Sequence, residues 1–293
     1  MIDLLVLGDC NPDLLLAVGD DALRFGQHES LVEAGRLQVG GSASIAACAA
    51  ARLGMSTALV AAVGDDLFGR FMLDELAARG VDTAACPVLV GADTGITVAL
   101  ARGGDRAILT APGAIARLTA EMVPPDLLTS AGHVHIASYH LLDGLRPGLP
   151  ELLRTARAAG ATVSVDPQGD VGGGRDGLAE LAPQLDVLFV NESERRALGD
   201  VAVPLMVVKL GVEGAIARAA DGVEVRARPP AVEAVDATGA GDAFDAGFLA
   251  ARAAGLALAE ALALACACGA LSTRALGGVA AQPTLDEARA AVA

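Results

Sequence analysis

Short runs rich in Val, Ile and Leu alternate along this chain with longer, alanine-rich stretches of helical period, and that alternation narrows the possible folds sharply. The apolar runs fall at 2–7, 57–63, 133–137, 162–165, 187–190 and 205–208, with helical stretches at 42–53, 67–79, 149–159 and 193–198. Strand and helix in repetition predict a mostly parallel sheet covered by helices on both faces. Such sheets receive ligands at the C-terminal ends of their strands, so chemistry is expected just after the apolar runs.

Residues 14–39 and 86–111 break the pattern with short β-like runs punctuated by Gly and Asp, which predicts strand-rich excursions from the main sheet. Past residue 223 the strand signal fades. Two consecutive helices are expected there, at 240–254 and 256–273, then a short one after Pro283. The stretch 255–272 is nearly all apolar, yet Glu260 and its many alanines mark it as a core helix and not a membrane span. With 293 residues and no low-complexity linker, one domain over 1–293 is expected.

A formal net charge of −15 and the lack of any Lys/Arg cluster argue against nucleic acid or anionic membrane as partners. An acidic chain binds a polyanion only where backbone amides, a few arginines or a metal ion cancel its charge locally. Lys209 is the only lysine. The five cysteines, at 10, 48, 86, 266 and 268, form neither a CxxC pair nor a zinc-like spacing and read as free thiols of a reducing cytoplasm. The opening Met1-Ile2-Asp3-Leu4 has no basic n-region, so no signal peptide is expected.

The most informative segment is Val235-Asp236-Ala237-Thr238-Gly239-Ala240-Gly241-Asp242-Ala243-Phe244-Asp245-Ala246-Gly247-Phe248. A Gly-Ala-Gly turn before a long apolar helix leaves the first backbone amides unpaired and lets an anion approach them. Asp242 falls in the first turn, where the macrodipole favours a carboxylate by roughly 0.3–1 kcal/mol, so an ionised group is expected near pH 7. By itself the segment also suits a plain capped helix start. A dinucleotide fingerprint fails at Phe244, and a Walker A loop fails because Leu210 follows Lys209.

This segment resembles the C-terminal signature of the PfkB, or ribokinase-like, carbohydrate kinase family, DTxGAGD followed by AF. The N-terminal signature, GGxxxNxA leading to ARLG, is matched by Gly40-Gly41-Ser42-Ala43-Ser44-Ile45-Ala46-Ala47 and Ala51-Arg52-Leu53-Gly54. Val63-Gly64-Asp65-Asp66, Phe68-Gly69, Asp166-Pro167, the NxxE match Asn191-Glu192-Ser193-Glu194, and Lys209-Leu210-Gly211 with Gly214 follow in family order. The resemblance spans the whole chain. It implies a three-layer α/β/α sandwich with a mostly parallel central sheet and a small β-rich lid built from 14–39 and 86–111.

The resemblance further implies an ATP- and Mg²⁺-dependent phosphotransferase acting on a hydroxyl of a sugar or sugar-like molecule. Asp242 would be the base, and the amides of Gly239, Ala240 and Gly241 an anion hole. Asn191 and Glu194 would hold hydrated Mg²⁺ and phosphates. Lys209, Gly211 and Gly214 would lie at the nucleotide, and Asp236 and Thr238 would ligate a monovalent cation, K⁺. Asn11 and Asp13, expected where the first strand ends, would hydrogen-bond substrate hydroxyls, although Asn-Pro-Asp also suits a turn. Gly40 and Gly41 would let the backbone approach the sugar. A homodimer paired through the lid is implied.

One departure bears on the substrate: Ile45 stands where the family carries an Asn that touches a substrate hydroxyl. The acceptor therefore stays open between a free sugar, a nucleoside and a sugar phosphate, for which Arg24 and Arg106 in the lid stretches are candidate partners. A non-catalytic sugar-binding protein on the same fold would have lost Asp242 or the Gly-Ala-Gly turn, and both are intact. His133, His135 and His140 can be drawn as a metal site, but a sheet strand without a neighbouring carboxylate is the better fit. His28 falls in a lid stretch.

Overall fold

A computed structural model describes residues 2–18, 26–102, 105–169, 177–199 and 201–292. From the N-terminus the chain runs β1 (Ile2–Leu7), β2 (Asn11–Ala17), β3 (Ala34–Gly40), α1 (Ser42–Arg52), β4 (Thr57–Val60), β5 (Val63–Gly64) and α2 (Leu67–Ala78). Then follow β6 (Val88–Leu89), β7 (Ile96–Arg102), β8 (Asp105–Ala111), α3 (Pro125–Ser130), β9 (Ala131–Ala137), α4 (Leu149–Ala158) and β10 (Thr162–Asp166). Next come α5 (Leu178–Leu181), β11 (Val187–Asn191), α6 (Glu192–Leu198), β12 (Leu205–Lys209), β13 (Ala215–Ala219) and β14 (Glu224–Ala227). The chain closes with α7 (Ala240–Ala253), α8 (Leu258–Ser272) and α9 (Leu285–Val292).

The main sheet has eight strands in the order β14-β13-β12-β11-β10-β9-β1-β4. Neighbours from β4 to β12 are parallel, and β13 and β14 return as an antiparallel hairpin. Successive side chains on a strand point to opposite faces, and here both faces are apolar. On β1, Leu4 and Val6 join one core with Ala43, Ala47 and Phe248, while Leu5 and Leu7 join the other with Leu149 and Leu153. β11 divides the same way, Val187 and Phe189 against Leu188 and Val190. Full burial of such a side chain is worth about 1.5–3 kcal/mol, which locks the sheet between its helix layers. Helices α7 and α8 approach closely because Gly247 leaves room: a Cβ there would meet Cys268 Sγ at 2.7 Å.

The two excursions supply a second sheet of four strands, β3-β2-β7-β8. Asn11 and Asp13 open β2 and do not close β1, because the chain leaves the main sheet at Asp9, whose carboxylate caps α1 through the amides of Ser42 and Ala43. The strand expected at 57–63 is two strands, and β5 pairs with β6 instead of joining the main sheet. Past residue 223 the chain forms β14, an edge strand in which exposed Glu224 and Arg226 alternate with half-buried Val225 and Ala227, too little apolar surface to register as a run.

His133 and His135 lie on β9 and hydrogen-bond to Thr162 and Ser164 of β10. His28 is exposed between β2 and β3. Among the described residues no group of His, Cys, Asp and Glu is arranged to hold a metal ion, and no helix is long and apolar enough to cross a membrane. All five cysteines are free and buried.

Candidate active site

The segments that follow β1, β9 and β10 converge with the start of α7 around a cavity of about 290 Å³. Asp9, Ser138 and Gln168 line it from the main sheet, Asn11, Asp13 and Thr97 from the second sheet, and Asp242 from α7.

Helix α7 opens without a side-chain cap: Gly239 occupies the N-cap in the left-handed region, φ 72. A Cβ there would meet both Gly278 Cα and Ile45 Cγ2 at 2.8 Å. Glycine is thus demanded twice, by conformation and by space. Ile45, 3% exposed, is the floor on which this turn rests, a packing role that accounts for an apolar residue at that position. Of the three amides expected to face an anion, that of Ala240 bonds back to the Ala237 carbonyl at 3.2 Å.

Asp242 is 5% exposed, and its Oδ1 accepts a hydrogen bond from Gln168 Nε2 at 2.6 Å. Burial, then the negative charge of Asp166, push its carboxyl up to about 8, against the opposing pull of Lys209. The macrodipole's preference for an ionised group near pH 7 is therefore opposed in the ligand-free protein, where desolvation and nearby carboxylates favour the protonated form.

Under this turn sits Lys209. Its Nζ contacts Asp166 and lies 3.1 Å from Asp245 Oδ2, and its side chain is 14% exposed. The lysine expected beside the nucleotide is engaged instead by these two carboxylates. Burial disfavours its charge, but Asp166 and Asp245 outweigh burial and keep it protonated. Burial likewise opposes ionisation of Asp166, which the ammonium nonetheless holds below the usual range, while burial drives Asp245 well up. Removing one member of a buried ionic set costs about 3–5 kcal/mol, so the group is structurally committed.

On the opposite side, Asn11 Nδ2 donates to Thr97 Oγ1 at 3.0 Å and to Asp13 Oδ1 at 3.3 Å, and Thr97 and Thr110 share a hydrogen bond of 3.1 Å. A polar row thus runs from β2 across β7 to β8. Gly40 makes room for the Asp13 carboxylate, since a Cβ would fall 1.9 Å from its Oδ1, and of this glycine pair it is Gly41, at φ 78, that lines the cavity. Burial pushes Asp9 up, partly offset by the Ala43 and Ser42 amides. Leu15, Ile45, Ala99, Ile108 and Leu141 form a contrasting apolar wall.

At the end of β11, Asn191 and Glu194 close a capping box: Asn191 Oδ1 accepts from the Glu194 amide at 2.9 Å and Glu194 Oε2 from the Asn191 amide at 2.7 Å. Glu194 Oε1 also accepts from the Gly169 amide at 2.7 Å. Gly211 and Gly214 bracket a single helical turn beside a separate cavity of about 590 Å³, whose walls include Val212, Ile216, Arg226 and Arg228. Asp236 Oδ1 accepts from Thr238 N at 2.9 Å and Thr238 Oγ1 at 2.7 Å, and its Oδ2 from Gly277 N at 2.8 Å. This loop presents hard oxygen donors, the kind an alkali cation takes. Glu194 has spare lone pairs suited to water around a divalent ion.

Asp9, Ser138, Gln168 and Asp245 belong to the site, although no sequence motif singled them out. Arg24 lies outside the described residues, as does the side chain of Arg106.

An α/β sheet whose strand ends present an uncapped Gly-Ala-Gly helix start, a carboxyl group and a polyol-sized polar cavity defines a phosphotransferase with an alcohol acceptor. A family model for the pfkB family carbohydrate kinases matches residues 1–285, and the chain belongs to that family. It is 34% identical to the ATP-dependent ribose-1-phosphate kinase of Halopiger xanaduensis, over 98% of this chain and 96% of that one. It is also 34% identical to the fructokinase of Klebsiella pneumoniae, over 85% and 90% of the two chains. The structure of Arabidopsis thaliana ribokinase complexed with ribose and ATP shares the fold, with a TM-score of 0.87 at 22% identity over 99% of this chain and 98% of that one. The protein is an ATP-dependent carbohydrate kinase.

Proposed function

We propose that this kinase transfers the γ-phosphoryl group of ATP to a hydroxyl of an uncharged sugar, with Asp242 as the base. The observation that carries the reading is the position of Asp242: it stands in the first turn of an uncapped helix and faces a cavity whose far wall holds Asn11 and Asp13. Asn11 and Asp13 orient the sugar hydroxyls, with Gly40 making room for Asp13 and Gly41 exposing backbone. Asp242, once ionised, takes the proton of the attacking hydroxyl. The amides of Gly239 and Gly241, with Ala240 between them, stabilise the charge spread over the transferring group, where a loose transition state asks mainly for positioning.

Magnesium, when bound with the nucleotide, neutralises phosphate charge. Asn191 and Glu194 would hold it through water. The turn bracketed by Gly211 and Gly214 would receive the nucleoside end in the larger cavity, and Asp236 with Thr238 would hold K⁺ beside the anion turn. The β3-β2-β7-β8 sheet, from 14–39 and 86–111, serves as the lid. Exposed Leu37 and Leu109, on the face of this sheet away from the cavity, support pairing of two lids in a homodimer, and five free thiols support a cytoplasmic setting.

Carboxyl groups of Asp9, Asp13 and Asp242 around one small cavity disfavour a phosphorylated acceptor. The apolar wall of Leu15, Ala99, Ile108 and Leu141 supports a nucleoside as the second reading. An ADP-release screen over pentoses, hexoses, keto-deoxy acids, nucleosides and sugar phosphates, ribose 1-phosphate among them, decides the matter. Turnover on an uncharged acceptor is expected, and turnover confined to sugar phosphates would overturn the assignment. With the acceptor in hand, Asp13→Ala should raise its KM by an amount corresponding to about 1.5–3 kcal/mol while KM for ATP stays near the parental value.

A further inference from the structure

The chain carries one lysine, and it is nearly buried beneath the first turn of α7, held by Asp166 and Asp245. A Cβ at Gly241 would lie 3.3 Å from its Nζ, so the ammonium sits directly against the first turn of α7. On the other side of Asp166 is Gln168. Its backbone amide donates to Asp166 Oδ1 at 3.2 Å, and its Nε2 donates to Asp166 Oδ2 at 3.3 Å and to Asp242 Oδ1 at 2.6 Å. Its φ of 59 is left-handed, a strained setting for a residue with a side chain. That turn aims the amide group at Asp242 and hands the next amide, Gly169, to Glu194.

We propose that Gln168 and Lys209 are positioning residues for the phosphoryl transfer: Lys209 fixes Asp166, Asp166 fixes Gln168, and Gln168 holds the Asp242 carboxyl at the anion turn. The inference rests on the reading of Asp242 as the base. Groups facing Asp242 are Asp9 from the β1–β2 connection, Asp166 and Gln168 from the end of β10, and Lys209 from β12, with Asp245 on its own helix. Asp9 and Asp166 oppose its ionisation, whereas the Gln168 amide and the Lys209 ammonium favour it. Lysine suits the place better than the arginines used elsewhere in the chain, because a compact ammonium fits under Gly241 where a planar guanidinium needs more width.

The test compares three variants with the parent in steady-state kinetics over pH, once an acceptor is known. Gln168→Met keeps the bulk and deletes the donor. It should lower kcat by about 10–100-fold, the usual consequence of a misplaced reacting group, with KM for ATP and acceptor nearly unchanged. The acidic limb of its kcat/KM profile should move to higher pH than the parent's. Lys209→Met combined with Asp245→Asn removes the cation together with one of its two acid partners and should shift kcat and the limb in the same directions. Asp242→Asn separates the two readings. If it is inactive while the other two variants keep parental kcat and limb position, the positioning role is wrong and the base stands. If Asp242→Asn is itself near parental, the base reading fails first. A rise in KM for ATP as the main effect of the lysine variant would place Lys209 at the nucleotide and overturn the inference.

Discussion

Helix α7 begins at the cavity and α6 begins beside the Gln168–Gly169 turn, and their first turns are built in opposite ways. The start of α6 is closed: Asn191 and Glu194 satisfy each other's backbone amides, and Glu194 also takes the amide of Gly169. The start of α7 is open, with a left-handed glycine and no side-chain cap. An uncapped helix start costs stability that a cap normally supplies, and it leaves amides available to an anion. The carboxyl groups differ in the same sense. Glu194 is hydrogen-bonded by backbone amides on both oxygens, whereas Asp242 is buried among other acids and pushed up to about 8. One helix start is satisfied from within, and the other leaves its amides and its acid open to a ligand.

The largest effect that bears on this contrast is expected at the open turn. Asp242→Asn should lower kcat by about 10²–10⁴ while ATP binding, followed by calorimetry, persists. The same variant should be more stable than the parent without ligands. The folded-state value of about 8 lies well above the usual carboxylate range, so the native protein holds an extra proton in between and Asp242 costs increasing stability as pH rises towards 8. Thermal melts should show the Tm advantage of the Asn variant widening from mildly acidic to mildly alkaline pH. A Tm gap that stays constant over this range would show Asp242 to be ionised throughout.

At the closed turn the expected change is smaller and of another kind. Asn191→Ala should cost about 0.5–2 kcal/mol of stability, read in a denaturant titration, because it deletes the N-cap of α6. If Asn191 also holds hydrated Mg²⁺, the Mg²⁺ concentration for half-maximal rate should rise as well. Lost stability with an unmoved Mg²⁺ dependence would confine Asn191 to capping. The smallest effect is expected for the ion beside the open turn. Exchanging K⁺ for tetramethylammonium should reduce kcat modestly, and Asp236→Ala should erase the difference between the two salts. Equal rates in both salts for the parent would remove the monovalent site.

The parts of the fold legible in the sequence are those whose signal is local. β1, β11 and β12 read clearly because both of their faces are buried and the residues form continuous apolar runs. β14 did not, since an edge strand with alternating Glu224 and Arg226 lacks such a run. In the site, the turn at Gly239 and Asp242 was legible because the requirement for glycine and the helix start are adjacent in the chain. The ring of Gln168, Asp166, Lys209 and Asp245 was not. Its contacts join residues 74, 43 and 36 positions apart, and no spacing rule links a strand end to a helix that distant. The electrostatics of Asp242 are hidden from the sequence for the same reason: the helix dipole is local, whereas the burial and the Asp166 charge that oppose it come from the tertiary fold.

The central claim, that Asp242 at the open turn of α7 is the base, is tested most directly by the pH dependence of kcat/KM for the acceptor. A base must be unprotonated to act, so the rate should climb with unit slope as pH rises through about 8, where the free protein's Asp242 loses its proton. The residual rate of Asp242→Asn should show no such limb. The same limb persisting in Asp242→Asn, at near parental rate, would contradict the account.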